Sequence, residues 1–230
     1  MKVIVTGGTG FLGSEMLRAC VANKHITSVI ALSRRDLGAE FQNEPKITTI
    51  KTTDFGSYSD EDLAKMKGAI GCLWTMGTTP DKARALSHEQ LIESEQGWPT
   101  RSAEIFSKLP EGRKFTFVYT SGWLVPNADA LDKPLWIAED MRKVRGYTEK
   151  KLFDLAAEGK VDTVVAKPKF ITTGETLWGR LTAGYFTVRK EAMAALYIDT
   201  VLNPGEKKLL SNDDLRSMGA AALEKFAKEK

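Results

Sequence analysis

The sequence predicts an α/β fold in which a parallel sheet carries helices on both faces. Short runs rich in β-branched residues alternate with longer helical patterns along the chain, which is the order expected of βαβ units. Runs such as VIV and FTFVY are apolar throughout, as strands buried on both faces are. Because crossovers between parallel strands are right-handed, these units imply a doubly wound sheet.

The elements follow in order from these patterns. The predicted strands are Lys2–Thr6, Ser28–Ser33, Lys46–Lys51, Ile70–Thr75, Phe115–Thr120 and Thr163–Lys167. The predicted helices are Leu12–Ala22, Asp60–Met66, Asp81–Leu109 with a break near Pro99, Leu135–Ala157, Val188–Val201 and Asn212–Lys228. No internal repeat or low-complexity linker interrupts the pattern, so we expect one domain over residues 1–230.

Composition excludes several kinds of function. The formal net charge is +3 and basic residues cluster only in pairs, so we expect no nucleic-acid partner. No stretch reaches about 18 uninterrupted apolar residues and no signal cleavage site follows the first strand, so we expect no membrane span and a cytoplasmic location. Cys20 and Cys72 lie in apolar stretches, as buried thiols of a reducing compartment do. With His25 and His88 the only histidines, we expect no metal site.

A glycine-rich turn, TGGTGFLG, joins the first predicted strand to the first predicted helix. In a dinucleotide-binding turn the first glycine permits the tight bend, the second lets the pyrophosphate approach the backbone, and the third lets helix and strand pack closely. The helix N-terminus then holds phosphate charge through its N–H groups and dipole. These features predict a Rossmann fold, with an ordinary β-to-α turn as the alternative. The candidate cofactor-binding residues of the turn are Gly7, Thr9, Gly10, Phe11, Leu12 and Gly13.

The end of the second predicted strand bears on which dinucleotide is bound. It carries Ser33, Arg34 and Arg35, where an NAD-selective site usually offers a carboxylate to the ribose hydroxyls. Two guanidiniums can instead grip a 2′-phosphate in forked geometry. The sequence therefore favours NADP(H) over NAD(H). The alternative is a solvated loop whose charge Asp36 partly neutralises.

Further motifs extend the pattern over most of the chain. They are Asp54-Phe55 after the third strand, Gly77-Thr78-Thr79 after the fourth, FVYTSG at the fifth, Arg145-Gly146-x-x-Glu149, and AKPKFI. With the glycine turn, they resemble an atypical short-chain dehydrogenase/reductase of the NmrA-like and Tat-interactive-protein-like subgroup.

The resemblance implies roles for residues at the strand ends. Asp54 and Phe55 would lie beside the adenine, residues 77–79 along the cofactor, Ser121 near the nicotinamide, and Pro168 in the turn where the family carries Arg-Pro. Strand ends are where open α/β sheets bind ligands. Helix capping is the alternative for Asp54, Thr78 and Thr79.

The proton-donating position departs from the family's pattern. Reductases of this superfamily pair a serine or threonine with Tyr-x-x-x-Lys, whose tyrosine relays a proton. Tyr147 and Lys151 have this spacing. The helix must, however, run back along a strand of about 20 Å, which takes roughly 13 residues. Counting to the Gly159 turn gives eight residues from Lys151 and 14 from Arg145, so Arg145 is favoured in the lysine's place.

In that register Met141 takes the tyrosine's place and has no proton to give. Arg145 can hold ribose hydroxyls, but its high pKa makes it a poor proton relay. The candidates for chemistry are therefore Ser121, which would orient a substrate oxygen, Arg145, and Tyr147 as a proton source. Another polar side chain or water is the alternative source of the proton.

Residues 169–205 are expected to form a small lobe on the substrate side. This stretch offers Phe170, Trp178, Leu181, Tyr185 and Phe186, which favours an apolar or aromatic small-molecule ligand, with core packing as the alternative. The sequence thus predicts an NADP(H)-dependent oxidoreductase that acts on a small hydrophobic carbonyl or conjugated compound. A non-catalytic sensor of the NmrA type and a non-redox isomerase or cyclase remain alternatives, and the oligomeric state is open.

Overall fold

The computed structural model of the chain describes residues 1–173 and 186–229. Within them a seven-stranded parallel sheet has the order β3-β2-β1-β4-β5-β6-β9, and β7 pairs with β8 in a second sheet. The strands are β1 (Lys2–Thr6), β2 (Ser28–Ser33), β3 (Ile47–Lys51), β4 (Ala69–Trp74), β5 (Phe115–Thr120), β6 (Val161–Ala166), β7 (Phe170–Thr172), β8 (Thr187–Arg189) and β9 (Leu209–Leu210). The strand order reverses between β1 and β4, at the point where open α/β sheets bind their ligands.

Helices cover both faces of the large sheet, which confirms the predicted Rossmann fold. They are α1 (Phe11–Ala22), α2 (Asp60–Met66), α3 (Pro80–Ala83), α4 (His88–Ile92), α5 (Trp98–Phe106), α6 (Glu139–Ala157), α7 (Lys190–Leu202) and α8 (Asn212–Lys228). A π-helical segment, Glu93–Gly97, joins α4 to α5.

Alternation along the strands gives the sheet two cores. In β1, Val3 and Val5 belong to the apolar cluster that includes α1, α7 and α8, whereas Ile4 belongs to the cluster that includes α2, α5 and α6. All three side chains are buried. Burial on both faces is the reason that these strands are continuous apolar runs in the sequence.

Two predicted helices have different bounds in the structure. The helix predicted from Leu135 begins only at Glu139, because Ala138 before it is in the left-handed region with φ of 48°, which a helix cannot continue through. The helix predicted over Asp81–Leu109 is divided into α3, α4, the π-helical segment and α5. Its second piece starts at a capping box on Ser87.

The predicted lobe over residues 169–205 is corrected in part. Its second half is α7, a core helix in which Met193, Tyr197 and Val201 are fully buried and pack in the cluster shared with α1 and α8. Among the described residues, β7 and β8 are what remains of the lobe, and both were missed because they have three residues each. The predicted ligand residues Trp178, Leu181 and Tyr185 lie outside the described residues.

Candidate functional site

The carboxyl ends of the central strands open into a cleft of about 520 Å³. The loops after β4 and β5 form two of its walls, and Met141 on α6 and Phe170 on β7 contribute to the others. Its lining is largely apolar, with Trp123 and Leu124 partly exposed at the surface. The predicted site residues in this lining are Leu12, Gly77, Thr78, Thr79, Ser121, Arg145 and Pro168.

The glycine turn between β1 and α1 has the tight geometry predicted for it. Gly7 has φ of 72°, and Gly10 donates its N–H to the Gly7 carbonyl oxygen at 2.8 Å. A Cβ on Gly13 would lie only 2.0 Å from that carbonyl oxygen. Positions 7 and 13 therefore require glycine, the first for its positive φ and the second for the close approach of α1 to the turn.

The N-terminus of α1 is suited to an anion. Its N-cap, Gly10, makes no side-chain capping bond, and the first turn carries no acidic residue. The first N–H groups of the helix are therefore left without a side-chain acceptor and add to the positive end of the helix dipole. Thr9 and Phe11, beside this terminus, are exposed. Turn and helix together fit the pyrophosphate of a dinucleotide.

The two arginines after β2 diverge, contrary to the forked grip that the sequence predicts for them. Arg35 lines a pocket of about 280 Å³ with Thr9 of the glycine turn. Arg34 lines a different cavity, of about 580 Å³, with Met76 after β4. Ser33, which is buried, holds the loop by donating its hydroxyl to the Arg35 carbonyl oxygen at 2.8 Å. One guanidinium, not two, is thus beside the glycine turn.

The carboxylates near Arg35 are paired with other cations. Asp36 forms an ion pair with Lys51 at 2.6 Å, and Glu40 forms one with Arg18 at 2.7 Å. The alternative in which Asp36 partly neutralises the arginines is not favoured, because the Asp36 carboxylate is paired with Lys51. Within residues 1–173 and 186–229, Arg35 has no carboxylate within ion-pair distance. The pocket beside the turn keeps a guanidinium that can meet an added anion.

The predicted adenine contacts have different environments. Asp54 accepts a hydrogen bond from the Gly56 N–H at 2.7 Å, which lowers the pKa of its carboxyl below the ordinary value. Phe55 is 1% exposed and packs against Trp74 and Trp98, with ring centroids 6.4 Å and 5.4 Å away. The Phe55 side chain is therefore part of the core and cannot stack on an adenine, which corrects the expectation for it.

Glu95, which sequence reasoning missed, organises the loop after β4. This carboxylate is 3% exposed. It accepts hydrogen bonds from the Thr78 N–H and from Arg145 Nε, the latter at 2.7 Å. Arg145 also donates to the Thr78 carbonyl oxygen at 2.8 Å, and a Cβ on Gly77 would lie 2.9 Å from the guanidinium. Glu95 and Arg145 thus form a buried clamp on residues 77–78.

Pro99 explains how Glu95 comes to this position. Trp98 donates its N–H to the Glu93 carbonyl oxygen, which is the i→i−5 bond of a π turn. Pro99 has no N–H to give to the Glu95 carbonyl oxygen, and the Thr148 hydroxyl of α6 donates to that oxygen instead, at 2.9 Å. The sequence predicted a break at Pro99, but that break did not indicate that the Glu95 carboxylate lies at the site.

Helix α6 turns one face to the cleft and another to solvent. Met141 and Arg145 line the cleft, in the register that the helix-length argument predicts. Tyr147 is 40% exposed, and its hydroxyl is 3.5 Å from Asp132 Oδ1; Lys151 is also exposed. The choice of Tyr147 as a catalytic candidate is therefore wrong in its geometry, because its side chain is about half a turn of the helix away from the cleft.

Behind the cleft wall, three side chains form a buried polar chain. Ser121 donates its hydroxyl to Glu149 Oε1 at 2.5 Å, and Lys167 Nζ is 2.9 Å from Glu149 Oε2. Lys167 also donates to the Val125 carbonyl oxygen and to Asn127 Oδ1, at 3.1 and 3.0 Å. Burial raises the pKa of Glu149, against the opposing effects of Ser121 and Lys167. The sequence motif indicated Glu149 but neither its partner Lys167 nor its link to Ser121.

The family model that matches the chain is the NAD dependent epimerase/dehydratase family, over residues 3–152. That match includes the glycine turn, the clamp and Ser121. The chain belongs to this family. Membership confirms the predicted short-chain dehydrogenase/reductase class at the level of its extended, epimerase/dehydratase branch and supports binding of a nicotinamide dinucleotide. The NmrA-like subgroup stays a prediction.

Solved structures and a curated protein extend the comparison. The chain resembles dTDP-glucose 4,6-dehydratase DesIV from Streptomyces venezuelae, determined with NAD, at 15% identity and a TM-score of 0.68, over 99% of this chain and 81% of that one. It also resembles vestitone reductase from alfalfa, at 19% identity and a TM-score of 0.63, over 91% and 76% of the two chains. At such identities the likeness shows the fold.

The curated relative is the leucinostatins biosynthesis cluster protein T of Purpureocillium lilacinum. It is 34% identical over 121 residues, which are 53% of this chain and 42% of that protein. The match thus covers less than half of the relative's length.

The described residues contain neither a candidate metal site nor a candidate membrane span. Residues 1–173 and 186–229 contain no group of three or more histidine, cysteine or acidic residues that could hold a metal ion. In the same residues, no helix is long and apolar enough to cross a bilayer.

Proposed function

We propose that the protein is an NADP(H)-dependent oxidoreductase that acts on a small apolar carbonyl or conjugated compound. The proposal rests on Arg35, which lies beside the glycine turn and an α1 N-terminus without a side-chain cap, and which has no carboxylate partner among the described residues. In nucleotide-binding sheets an arginine near this position accommodates the 2′-phosphate of NADP. Family membership supports the nicotinamide cofactor but does not choose between its two forms.

The remaining parts of the cofactor have candidate contacts along the cleft. The glycine turn would hold the pyrophosphate, and Arg34 with Asp54 would flank the adenosine. Residues 77–79 would run along the cofactor, with Pro168 beside them in the cleft lining. Arg145 uses Nε and one Nη in the clamp, and a guanidinium has five N–H donors, so its remaining donors can reach ribose hydroxyls. When bound, the cofactor supplies or accepts a hydride at its nicotinamide ring.

The substrate class follows from the chemistry of the cleft wall. Trp123, Leu124, Ile137 and Phe170 line the cleft and are partly or largely exposed, so they offer apolar surface to a ligand. Ser121 is one of the hydroxyl-bearing residues in this lining, and by its place after β5 it would orient a substrate oxygen. The names of the similar proteins agree with a reductase that acts in biosynthesis, since one belongs to a leucinostatins biosynthesis cluster and another is the PhqB reductase domain of Penicillium fellutanum, at 15% identity and a TM-score of 0.67.

The experiment that tests the proposal is calorimetric titration of the purified protein with NADPH, NADP⁺, NADH and NAD⁺. We expect the phosphorylated forms to bind at least about tenfold more tightly, a difference of roughly 1.4 kcal/mol. A preference for NADH or NAD⁺ would overturn the choice of cofactor. Binding of none of the four would remove the oxidoreductase altogether.

One observation favours a second candidate, a sensor of the NmrA type. In the register that the sequence predicts, Met141, which lines the cleft, takes the place of the family's proton-donating tyrosine, and a protein that only binds the dinucleotide does not need that proton. Such a sensor would discriminate oxidised from reduced cofactor in the same titration but would not consume NADPH with any carbonyl compound. Turnover of NADPH separates the two functions.

A further inference from the structure

A reductase needs a proton donor in its cleft, because the oxygen of a reduced carbonyl must take up a proton. In the register that the sequence predicts, Met141 takes the position of the family's tyrosine, and its thioether has no proton to donate. The Tyr147 hydroxyl lies outside the cleft lining, and Arg145 is engaged by Glu95 and the Thr78 carbonyl oxygen. The cleft lining also contains Lys169 and several threonine hydroxyls. Among the described residues, however, Ser121 is the lining hydroxyl that bonds a buried carboxyl, that of Glu149, which is paired in turn with Lys167.

We propose that Glu149 and Ser121 form a proton relay that opens into the cleft and takes the place of the missing tyrosine. Ser121 joins the two sides, since the residue lines the cleft and its hydroxyl bonds Glu149 Oε1 at 2.5 Å. Glu149 is 5% exposed and is absent from the residues that line the cleft. Any proton that it exchanges with a ligand therefore passes through Ser121. This inference rests on the proposed oxidoreductase function.

Lys167 sets the charge of the relay without taking part in the transfer. An ammonium group has three donors, and those of Lys167 are directed to Glu149, the Val125 carbonyl oxygen and Asn127. It therefore stays in place and stabilises the carboxylate once the proton has left. The charged and titratable groups that face Glu149 are Lys167 from the end of β6, Arg145 from α6 itself, and Tyr119 from β5.

In the reducing direction, one hydride and one proton are added to the carbonyl group of the substrate. A hydride, supplied by a reduced nicotinamide, adds to the carbonyl carbon, and the electron pair of the broken π bond moves to oxygen. When Glu149 is protonated, its carboxyl donates to Ser121 Oγ and the Ser121 hydroxyl donates to the substrate oxygen, the reverse of the bond that Ser121 donates to the ionised carboxylate. The substrate oxygen takes the proton of Ser121 Oγ, and Ser121 Oγ takes the proton of the Glu149 carboxyl. Glu149 is left as a carboxylate beside Lys167. After the product leaves, a proton from water in the cleft returns to Glu149 through Ser121, and the oxidation of an alcohol runs through the same steps in reverse.

Opposing effects act on the pKa of Glu149. Burial favours the neutral carboxyl, whereas the Ser121 hydrogen bond and the Lys167 ammonium favour the carboxylate. The net direction is upward, which is the direction in which enzymes shift a carboxyl that acts as a general acid.

The first test uses the protein without cofactor. Infrared titration of the carboxylic-acid band would compare the wild type with Glu149→Gln, Ser121→Ala and, as a matched control, Asp154→Asn, which removes an exposed carboxylate paired with Lys150 on the same helix. We expect a carboxyl that titrates above the ordinary value of about 4.3, that Glu149→Gln abolishes and Ser121→Ala shifts, and that Asp154→Asn leaves unchanged. A Glu149 that is ionised down to that ordinary value would overturn the relay.

The second test adds NADPH and phenanthrenequinone, a flat apolar dicarbonyl. We expect Glu149→Gln and Ser121→Ala to lower turnover by about a hundredfold and to remove the limb of the pH profile that Glu149 controls, with NADPH binding changed less than about twofold. Unchanged turnover and pH profile in Glu149→Gln would overturn the relay. Failure of NADPH to bind would instead overturn the proposed function, and the infrared titration still decides whether Glu149 exchanges a proton through Ser121.

Discussion

The two halves of the candidate site, one beside the glycine turn and one beside α6, hold their charges in different ways. On the side of β1 and β2, the site consists of backbone N–H groups at a helix terminus and the Arg35 guanidinium, which among the described residues has no carboxylate partner. On the side of α6, the charges are buried and paired with one another: Arg145 with Glu95, and Lys167 with Glu149. The first half can therefore bind a charged group of a ligand, whereas in the second half the charges are already paired within the protein.

This difference suggests a division of labour. An anion binds favourably at a helix N-terminus and beside an exposed cation, because these groups need little rearrangement to receive it. A buried ion pair is stabilised little by a further charge, but it fixes the loops that it joins and holds protons at defined atoms. We therefore expect affinity for the cofactor to depend on the glycine turn and Arg35, and loop geometry and proton transfer to depend on Glu95 and Glu149.

The largest expected effect is on the stability of the buried clamp. Glu95→Ala should lower the free energy of unfolding by about 3–5 kcal/mol, because Arg145 would be left buried without its carboxylate. Denaturant unfolding with a linear extrapolation measures this loss. Arg145 and Glu95 side chains are 14% and 2% exposed, so solvent cannot take over the role of the partner.

Glu93→Ala is the matched control for the clamp. Glu93 is two residues away in the same π-helical segment, and its ion pair with Arg101 is between side chains that are 46% and 44% exposed. Its loss should cost less than about 1 kcal/mol. Equal losses for the two variants would contradict the view that this half of the cleft depends on buried pairs.

A smaller effect, on the other half, is expected from Arg35. Arg35→Ala should weaken NADPH binding by about 2 kcal/mol, since a charge-assisted hydrogen bond to the 2′-phosphate is lost, while NADH binding changes little. Arg34→Ala should have the weaker effect of the two, because Arg34 lines another cavity. Calorimetry of both variants, with Arg216→Ala on α8 as a remote control, measures the difference. Losses of equal size for NADPH and NADH would show that Arg35 does not contact the phosphate.

The sequence predicted the two halves to different degrees. The glycine turn could be predicted with its residues because its geometry is local. Gly7, Gly10 and Gly13 lie within seven residues; Gly7 is required by its positive φ and Gly13 by its close approach to the Gly7 carbonyl oxygen. The strands could be predicted for a related reason, since burial on both faces leaves a continuous apolar run.

The other half could not be predicted in the same way because its partners are distant in the chain. Glu95 meets Arg145 across 50 residues, and Ser121 meets Glu149 across 28. No spacing rule connects such positions. They meet because α6 packs against the π-helical segment and against β6, the strand that pairs with β5. A motif by itself also misled, since Tyr147 and Lys151 have the family's spacing but not its orientation.

The smallest expected effect tests that orientation. Tyr147→Phe should change the turnover of NADPH less than tenfold, which is under about 1.4 kcal/mol of barrier, and should leave cofactor binding unchanged, because the Tyr147 hydroxyl is beside Asp132 and outside the cleft lining. Steady-state kinetics over a range of pH, compared with Ser121→Ala, measures it. A collapse of activity in Tyr147→Phe would mean that α6 rotates to bring Tyr147 and Lys151 into the cleft on binding, and the paired charges on this side would then have to separate for the reaction to occur.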